Sequence, residues 1–196
     1  MITLPFIPGS ERLLVVVGPS GAGKDSVLAA WRDRLGAFPV HFAQRVISRP
    51  ADANEQHEPI SECDFARAVA AGEFATSWHA HGHSYGLRWR ELSPMAQARW
   101  VVVNGSREHL PALRRQAPSL RAVQLTAPPE LRARRLQARA REDGQSIARR
   151  LHRQPSAEAD YSISNDTHLA AAVDALHDWW SSLATAQNFA GTLDWM

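Results

Sequence analysis

Three runs of aliphatic residues set the rhythm of the chain. Arg12-Leu-Leu-Val-Val-Val17 and Trp100-Val-Val-Val103 are short, unbroken and rich in β-branched residues, while Leu120-Arg-Ala-Val-Gln-Leu125 is a short apolar run interrupted by Arg121 and Gln124. A strand with one wet face would alternate, so these runs predict strands buried on both faces, as in a parallel sheet. A stretch with helical spacing follows each run. Ser26 to Leu35 carries Val27, Leu28, Trp31 and Leu35 on one face, while Glu108 to Gln116 and Pro129 to Arg141 follow the second and third runs. The alternation predicts an α/β fold around a parallel sheet, with the first run as its central strand.

The stretches between these runs are more polar. Ser61-Glu-Cys-Asp-Phe65 reads as a helix start, with Ser61 as cap and Asp64 near the position that reaches back to it. Phe74 to Leu87 is strand-like but broken by glycines, and Asp166 to Leu183, rich in alanine and leucine, reads as a closing helix. The tail from Asn188 to Met196 is expected to be loosely held. The resulting map has one domain over residues 1–196. Its core covers 12–44, 91–138 and 154–185, interrupted by an insertion at about 45–90 and an arginine-rich segment at about 139–153.

Composition narrows the field without naming a function. With 196 residues the chain suits one substantial core, and 44% apolar with 21% charged residues argue against disorder and fibrous repeats. A formal net charge of +2 is too slight to indicate nucleic acid or an anionic membrane as partner. The apolar run Leu13 to Val17 is too short for an export signal or a membrane span. Cys63 is the only cysteine, so no disulfide forms within the chain, which fits the cytoplasm. Lys24 is the only lysine among the 22 lysines and arginines.

That lysine falls in a motif. Gly18-Pro19-Ser20-Gly21-Ala22-Gly23-Lys24-Asp25 matches G-x-x-x-x-G-K, between a predicted buried strand and a predicted helix. In such a phosphate loop the glycines let successive backbone N–H groups converge on phosphate oxygens, and the helix terminus adds positive partial charge. Lys24 supplies the mobile full charge for ATP. Serine or threonine usually follows the lysine and ligates Mg²⁺; an aspartate here would repel triphosphate unless a cation lay between them. Asp25 is therefore assigned to Mg²⁺, directly or through water, against a plainer reading as an acid favouring the helix dipole. Ser26 is a secondary polar contact. The expected fold is a P-loop NTPase three-layer sandwich.

Four segments together carry a resemblance. Gly18 to Ser26, Ser77-Trp-His79, Tyr85-Gly86 and Val103-Asn-Gly-Ser-Arg-Glu-His-Leu-Pro111 are similar to the ribose 1,5-bisphosphate phosphokinases of phosphonate catabolism, which look like divergent guanylate kinases. The resemblance runs from about Leu13 to about Leu176. It implies a guanylate-kinase-like fold in which the insertion binds the acceptor and the arginine-rich segment is a lid. It also implies transfer of the ATP γ-phosphoryl to the 1-phosphate of ribose 1,5-bisphosphate, giving 5-phosphoribosyl 1-diphosphate. On alignment to guanylate kinase, the two guanine-reading acids would fall at Thr76 and near Ser106, and neither position is acidic. Leaving guanine donors unpaired in a buried site costs about 1–3 kcal/mol each, which disfavours a guanylate acceptor. The resemblance assigns Arg49 and Tyr85 to acceptor phosphate, Arg139 and Arg150 to the lid's catalytic arginines, and Asn165 to the loop flanking adenine. Asn104 stands where a carboxylate is expected at a strand end, as though that acid had moved to position 25.

Other residues remain open between chemistry and surface. His79, His81 and His83 alternate, so on one strand all three would share a face and could hold a transition metal, contact substrate through His79, or simply be solvated. Ser106 and Arg107 follow a strand's carboxyl end, where α/β sheets bind ligands, and are assigned with Asn104 to the acceptor. Arg135, Arg141 and Arg149, with the other arginines from 132 to 153, stand open between contacts to the transferring group and a solvated helix face, and the seven tryptophans read as core or interface anchors. The expected partner is a small phosphorylated sugar, bound by a monomer or homodimer. A guanylate-type nucleoside monophosphate kinase and a catalytically silent guanylate-kinase-like binding module are the rivals, the intact Lys24 arguing against the second.

Overall fold

A computed structural model describes residues 5–50, 57–138 and 158–193; the arginine-rich segment 139–153, with Arg139 and Arg150, lies outside the described residues. The main sheet has five strands: β1 (Leu13–Val17), β2 (Val40–Phe42), β7 (Trp100–Asn104), β8 (Arg121–Thr126) and β9 (Tyr161–Ser164). Their order is β2-β7-β1-β8-β9, and every neighbouring pair is parallel. β1 is central, as its unbroken apolar run implies.

Both faces of β1 are covered. Leu14 and Val16 join one apolar cluster with Val27, Leu28 and Trp31 of α1 (Lys24–Leu35) and with Ala172, Val173, Leu176 and Trp180 of α6 (Leu169–Leu193). Leu13, Val15 and Val17 join another, with Leu110 and Leu113 of α4 (Leu110–Gln116) and with Ala75 and Leu87. Each such side chain, taken fully out of water, contributes about 1.5–3 kcal/mol. β2 and β9 escape the sequence pattern because they are short edge strands, β2 half-buried and β9 burying only Ile163. α6 reaches Leu193, running on through much of the tail expected to be loose.

The insertion is a second sheet. Its four strands, β3 (Arg45–Ile47), β4 (His57–Pro59), β5 (Phe74–Ala80) and β6 (His83–Arg88), lie in the order β4-β3-β6-β5. One face carries α2 (Glu62–Ala70), capped as expected by Ser61, whose hydroxyl accepts from Asp64 N–H at 3.0 Å. Phe65 and Ala68 of α2 pack there on Val46 and Phe74. The other face presents Ile47, Ala80 and Tyr85, with Trp78 against them. β5 and β6 form a hairpin whose two-residue turn is His81-Gly82, with φ of 53° and 77°. The chain thus reverses within the histidine triplet, and the single shared face expected for His79, His81 and His83 does not form. The short helix α3 (Trp89–Leu92) returns the chain to the core, and α5 (Pro129–Ala138) follows β8.

Candidate active site

The phosphate loop leaves β1 at Val17 and enters α1 at Lys24. A Cβ on Gly18 would lie 2.2 Å from the Leu125 carbonyl oxygen, and one on Gly23, where φ is +87°, would lie 2.4 Å from Asn165 Nδ2. Glycine is therefore demanded by close approach as well as by backbone angle. Lys24 Nζ folds back over the loop, donating to Gly18 O at 2.9 Å and Pro19 O at 3.4 Å.

The loop's outer side is tied down carbonyl by carbonyl. Arg132 Nε donates to Ser20 O at 3.0 Å, Arg135 Nη1 to Gly21 O and Ala22 O at 3.4 Å, and Asn165 Nδ2 to Ala22 O at 2.9 Å. Arg135 Nη2 also donates to Asn165 O at 3.1 Å, binding the clamp to itself. C=O and N–H of one trans peptide point in opposite directions, so the N–H groups of Gly21 and Gly23 face away from α5, free to converge on an anion. The reading of these two arginines as a solvated helix face is overturned: Arg132 is 4% exposed and shares the buried side of α5 with Leu136. That i, i+4 pairing with an apolar residue was the signal in the sequence. Asn165 is buried at the end of β9 with its amide nitrogen spent on the loop.

Beyond Lys24, Asn104 Nδ2 at the end of β7 donates to Asp25 Oδ1 at 2.7 Å. The two residues singled out as an exchanged pair are in contact. Asn104 Oδ1 is buried with no hydrogen-bond partner in the described structure. An orphaned amide oxygen beside a carboxylate is the hard-oxygen donor chemistry that suits Mg²⁺ or its water shell. Ser26 is exposed. Among the described residues no group of three or more histidine, cysteine or acidic side chains could hold a metal.

Ser106 and Arg107 follow Gly105, whose N–H donates to Val16 O at 2.9 Å and keeps this turn against β1. Burial, then the nearby Arg132 charge, pulls the Arg107 guanidinium below the usual arginine range, against a smaller opposing pull from Glu108. Two cations close enough to repel, one of them bonded to the phosphate loop, favour an anion near them. Tyr85 lies on the inner face of the insertion, with its ring 5.4 Å from Trp78 and the Arg45 guanidinium 5.9 Å from its centroid. His79 pairs with Ser84 one register position away, so it projects from the opposite face, near Glu62 at the start of α2. Arg49 sits past the end of β3, its carbonyl accepting from His57 Nε2 at 3.2 Å. The structure thus gathers Lys24, Asp25 and Asn104 at the loop, with Ser106 and Arg107 following β7, and separates His79 from Tyr85.

One constellation was not anticipated. Buried Thr76 on β5 contacts His109 Nε2 at 2.7 Å and Gln116 Oε1 at 2.8 Å, and the His109 ring lies 4.9 Å from Trp78, nearly parallel to it. Burial, then the Arg115 charge, pushes the His109 pKa down to about 4. No local pattern marks a contact between residues 33 positions apart.

A parallel sheet in this order, a clamped glycine loop with one lysine, and a four-stranded insertion that meets the core at His109 and Gln116 define a P-loop kinase of guanylate-kinase-like architecture. The solved guanylate kinase of Anaplasma phagocytophilum has that fold, with a TM-score of 0.59 and 15% identity over 92% of this chain and 87% of that one. No protein-family model matches the chain. A ribose 1,5-bisphosphate phosphokinase of Chromobacterium violaceum is 46% identical over 172 residues, covering 85% of this chain and 92% of the relative. Another, of Laribacter hongkongensis, is 45% identical over 87% of this chain, which spans only 43% of that longer relative. The chain belongs to the ribose 1,5-bisphosphate phosphokinase family.

Proposed function

We propose that this chain transfers the γ-phosphoryl group of ATP to the 1-phosphate of ribose 1,5-bisphosphate, forming 5-phosphoribosyl 1-diphosphate and ADP. The bond from the γ-phosphorus to its bridging oxygen breaks as a 1-phosphate oxygen bonds to that phosphorus. The attacking oxygen is already ionised near neutral pH, so no general base is required and catalysis rests on positioning and charge neutralisation. Lys24 and the outward-facing loop amides hold the ATP phosphates. Asp25 and Asn104 hold Mg²⁺, which when bound neutralises phosphate charge. Arg107, Tyr85 and Arg49 hold the acceptor, and the resemblance assigns Arg139 and Arg150 to the transferring group. His79, on the opposite face of the insertion from Tyr85, is left out of the acceptor site. We assign the reaction to the cytoplasm, where its nucleotide is.

What carries this reading is the contact of Asp25 with Asn104 beside Lys24, in a chain 46% identical to a protein of this name. A guanylate acceptor is disfavoured on chemistry, since Thr76 spends its hydrogen on Gln116 and offers guanine no carboxylate. ADP release should be rapid with ribose 1,5-bisphosphate and near background with GMP. Lys24→Ala should lower turnover by about two to four orders of magnitude without unfolding the chain. Preferential use of GMP, or full activity in the Lys24 variant, would overturn the assignment.

A further inference from the structure

His109 stands at the seam between the insertion and the core, and the phosphate chemistry above leaves it without a task. Hydrogen-bond counting fixes its tautomer. Gln116 Nε2 donates to Ala75 O at 3.0 Å and Pro5 O at 3.3 Å, which orients the amide so that Oε1 is the acceptor. Thr76 gives its one hydroxyl hydrogen to that Oε1 at 2.8 Å. Toward His109 the hydroxyl must then accept, so Nε2, 2.7 Å away, carries the ring's hydrogen. The ring is half-buried, and its low pKa keeps it neutral near pH 7. Nδ1 is left with a lone pair, and no donor of the described residues is bonded to it.

A lone-pair acceptor selects its ligand by exclusion. Phosphate oxygens, themselves acceptors, are repelled by it, and so is a sugar ring oxygen. Near neutral pH the donors of ribose 1,5-bisphosphate are essentially its 2- and 3-hydroxyls. Trp78 holds the imidazole plane at 15° to its own and stacks at 11° on Tyr85, so the ring lies on the face of the insertion that carries Tyr85 with little freedom to turn. We propose that His109 Nδ1 accepts a hydrogen bond from a ribose hydroxyl of the acceptor, with Thr76 and Gln116 holding its tautomer and Trp78 its plane. The sugar is thereby read by this nitrogen, while the glycine loop and the arginines handle phosphate. The inference rests on the ribose 1,5-bisphosphate reading above.

Its test compares ribose 1,5-bisphosphate with the 2-deoxy and 3-deoxy sugars, in the wild type and in His109→Phe, which keeps a flat ring against Trp78 and deletes both nitrogens. In the wild type, kcat/KM for one deoxy sugar should fall about 10- to 100-fold, because a half-buried acceptor that water reaches poorly loses its donor. His109→Phe should lose the same factor on the ribo sugar, cease to distinguish it from that deoxy sugar, and keep the wild-type KM for MgATP. Equal use of all three sugars by the wild type, or an unchanged sugar preference in His109→Phe, overturns the proposal. Should that variant fail to fold, Thr76→Val frees Nε2 and lets the tautomer flip; an undiminished preference there overturns it equally. Turnover without sugar preference removes only this inference, whereas no wild-type turnover on ribose 1,5-bisphosphate removes the function with it.

Discussion

Asn104 is the residue whose chemistry is most sharply divided: its nitrogen is spent on Asp25 while its buried oxygen has no partner. A native protein keeps such an orphan rarely, and a cation or its water accounts for the cost. Asn104→Leu should therefore shift the Mg²⁺ requirement, measured as initial rate against Mg²⁺ at fixed ATP, to higher concentration. An identical titration would remove Asn104 from the cation's surroundings. Gly18 is a constraint of another kind, since the atom that a Cβ would strike at 2.2 Å is a backbone oxygen of β8. No rotamer change relieves that contact, so Gly18→Ala should destabilise by more than about 2 kcal/mol in denaturant unfolding.

α5 acts on the phosphate loop as an element, with Arg132 and Arg135 one turn apart holding three successive carbonyls. Arg132→Met keeps the stem and removes the donor. Ser20 O then loses its bond, but a desolvated guanidinium facing Arg107 is also removed, and the two effects offset in stability. The expected result is a KM for MgATP about tenfold higher with little change in Tm, because aiming amides at phosphate is worth about 1–2 kcal/mol. α6 has a structural task. Trp180 meets Trp31 at 5.7 Å and Trp100 at 6.4 Å, bridging α1 and the sheet. Trp180→Ala should cost about 3–5 kcal/mol by thermal or denaturant unfolding, with kcat per folded molecule retained.

For the whole molecule, the insertion's attachment to the core makes stability depend on pH. His109 is held neutral in the fold, with its pKa pushed down to about 4 against a usual value near 6.5. Between those values the unfolded chain binds more protons than the folded one, so stability is full above pH 6.5, declines as pH falls toward 4 and levels off below. The loss by pH 5 should be about 2 kcal/mol. Glu58, held low chiefly by its hydrogen bond to Arg88, loses its contribution only on acidification through the carboxylate range, below most of that window. Denaturant unfolding at pH 7, 6 and 5 should therefore show a slope in the wild type that is absent in His109→Phe.

Local pattern sufficed for the three inner strands, α1, the cap at Ser61 and the glycine loop, because each is encoded by neighbours within one or two turns of chain. It placed Lys24 on that loop, and it put Asp25 and Asn104 forward as partners before their contact was visible. It failed where energy comes from residues far apart: the edge strands β2 and β9, the reversal at His81-Gly82, the burial of Arg132, and the Thr76–His109–Gln116 cluster. An arginine on a helix reads as solvated until a loop carbonyl lies against it, and a histidine has no tautomer until its neighbours take their own hydrogens. The chain's own order of residues thus determined the fold class and the phosphate chemistry. Only tertiary packing decided how the loop is held and which nitrogen of His109 carries the hydrogen, since burial and hydrogen-bond partners exist only once distant segments meet.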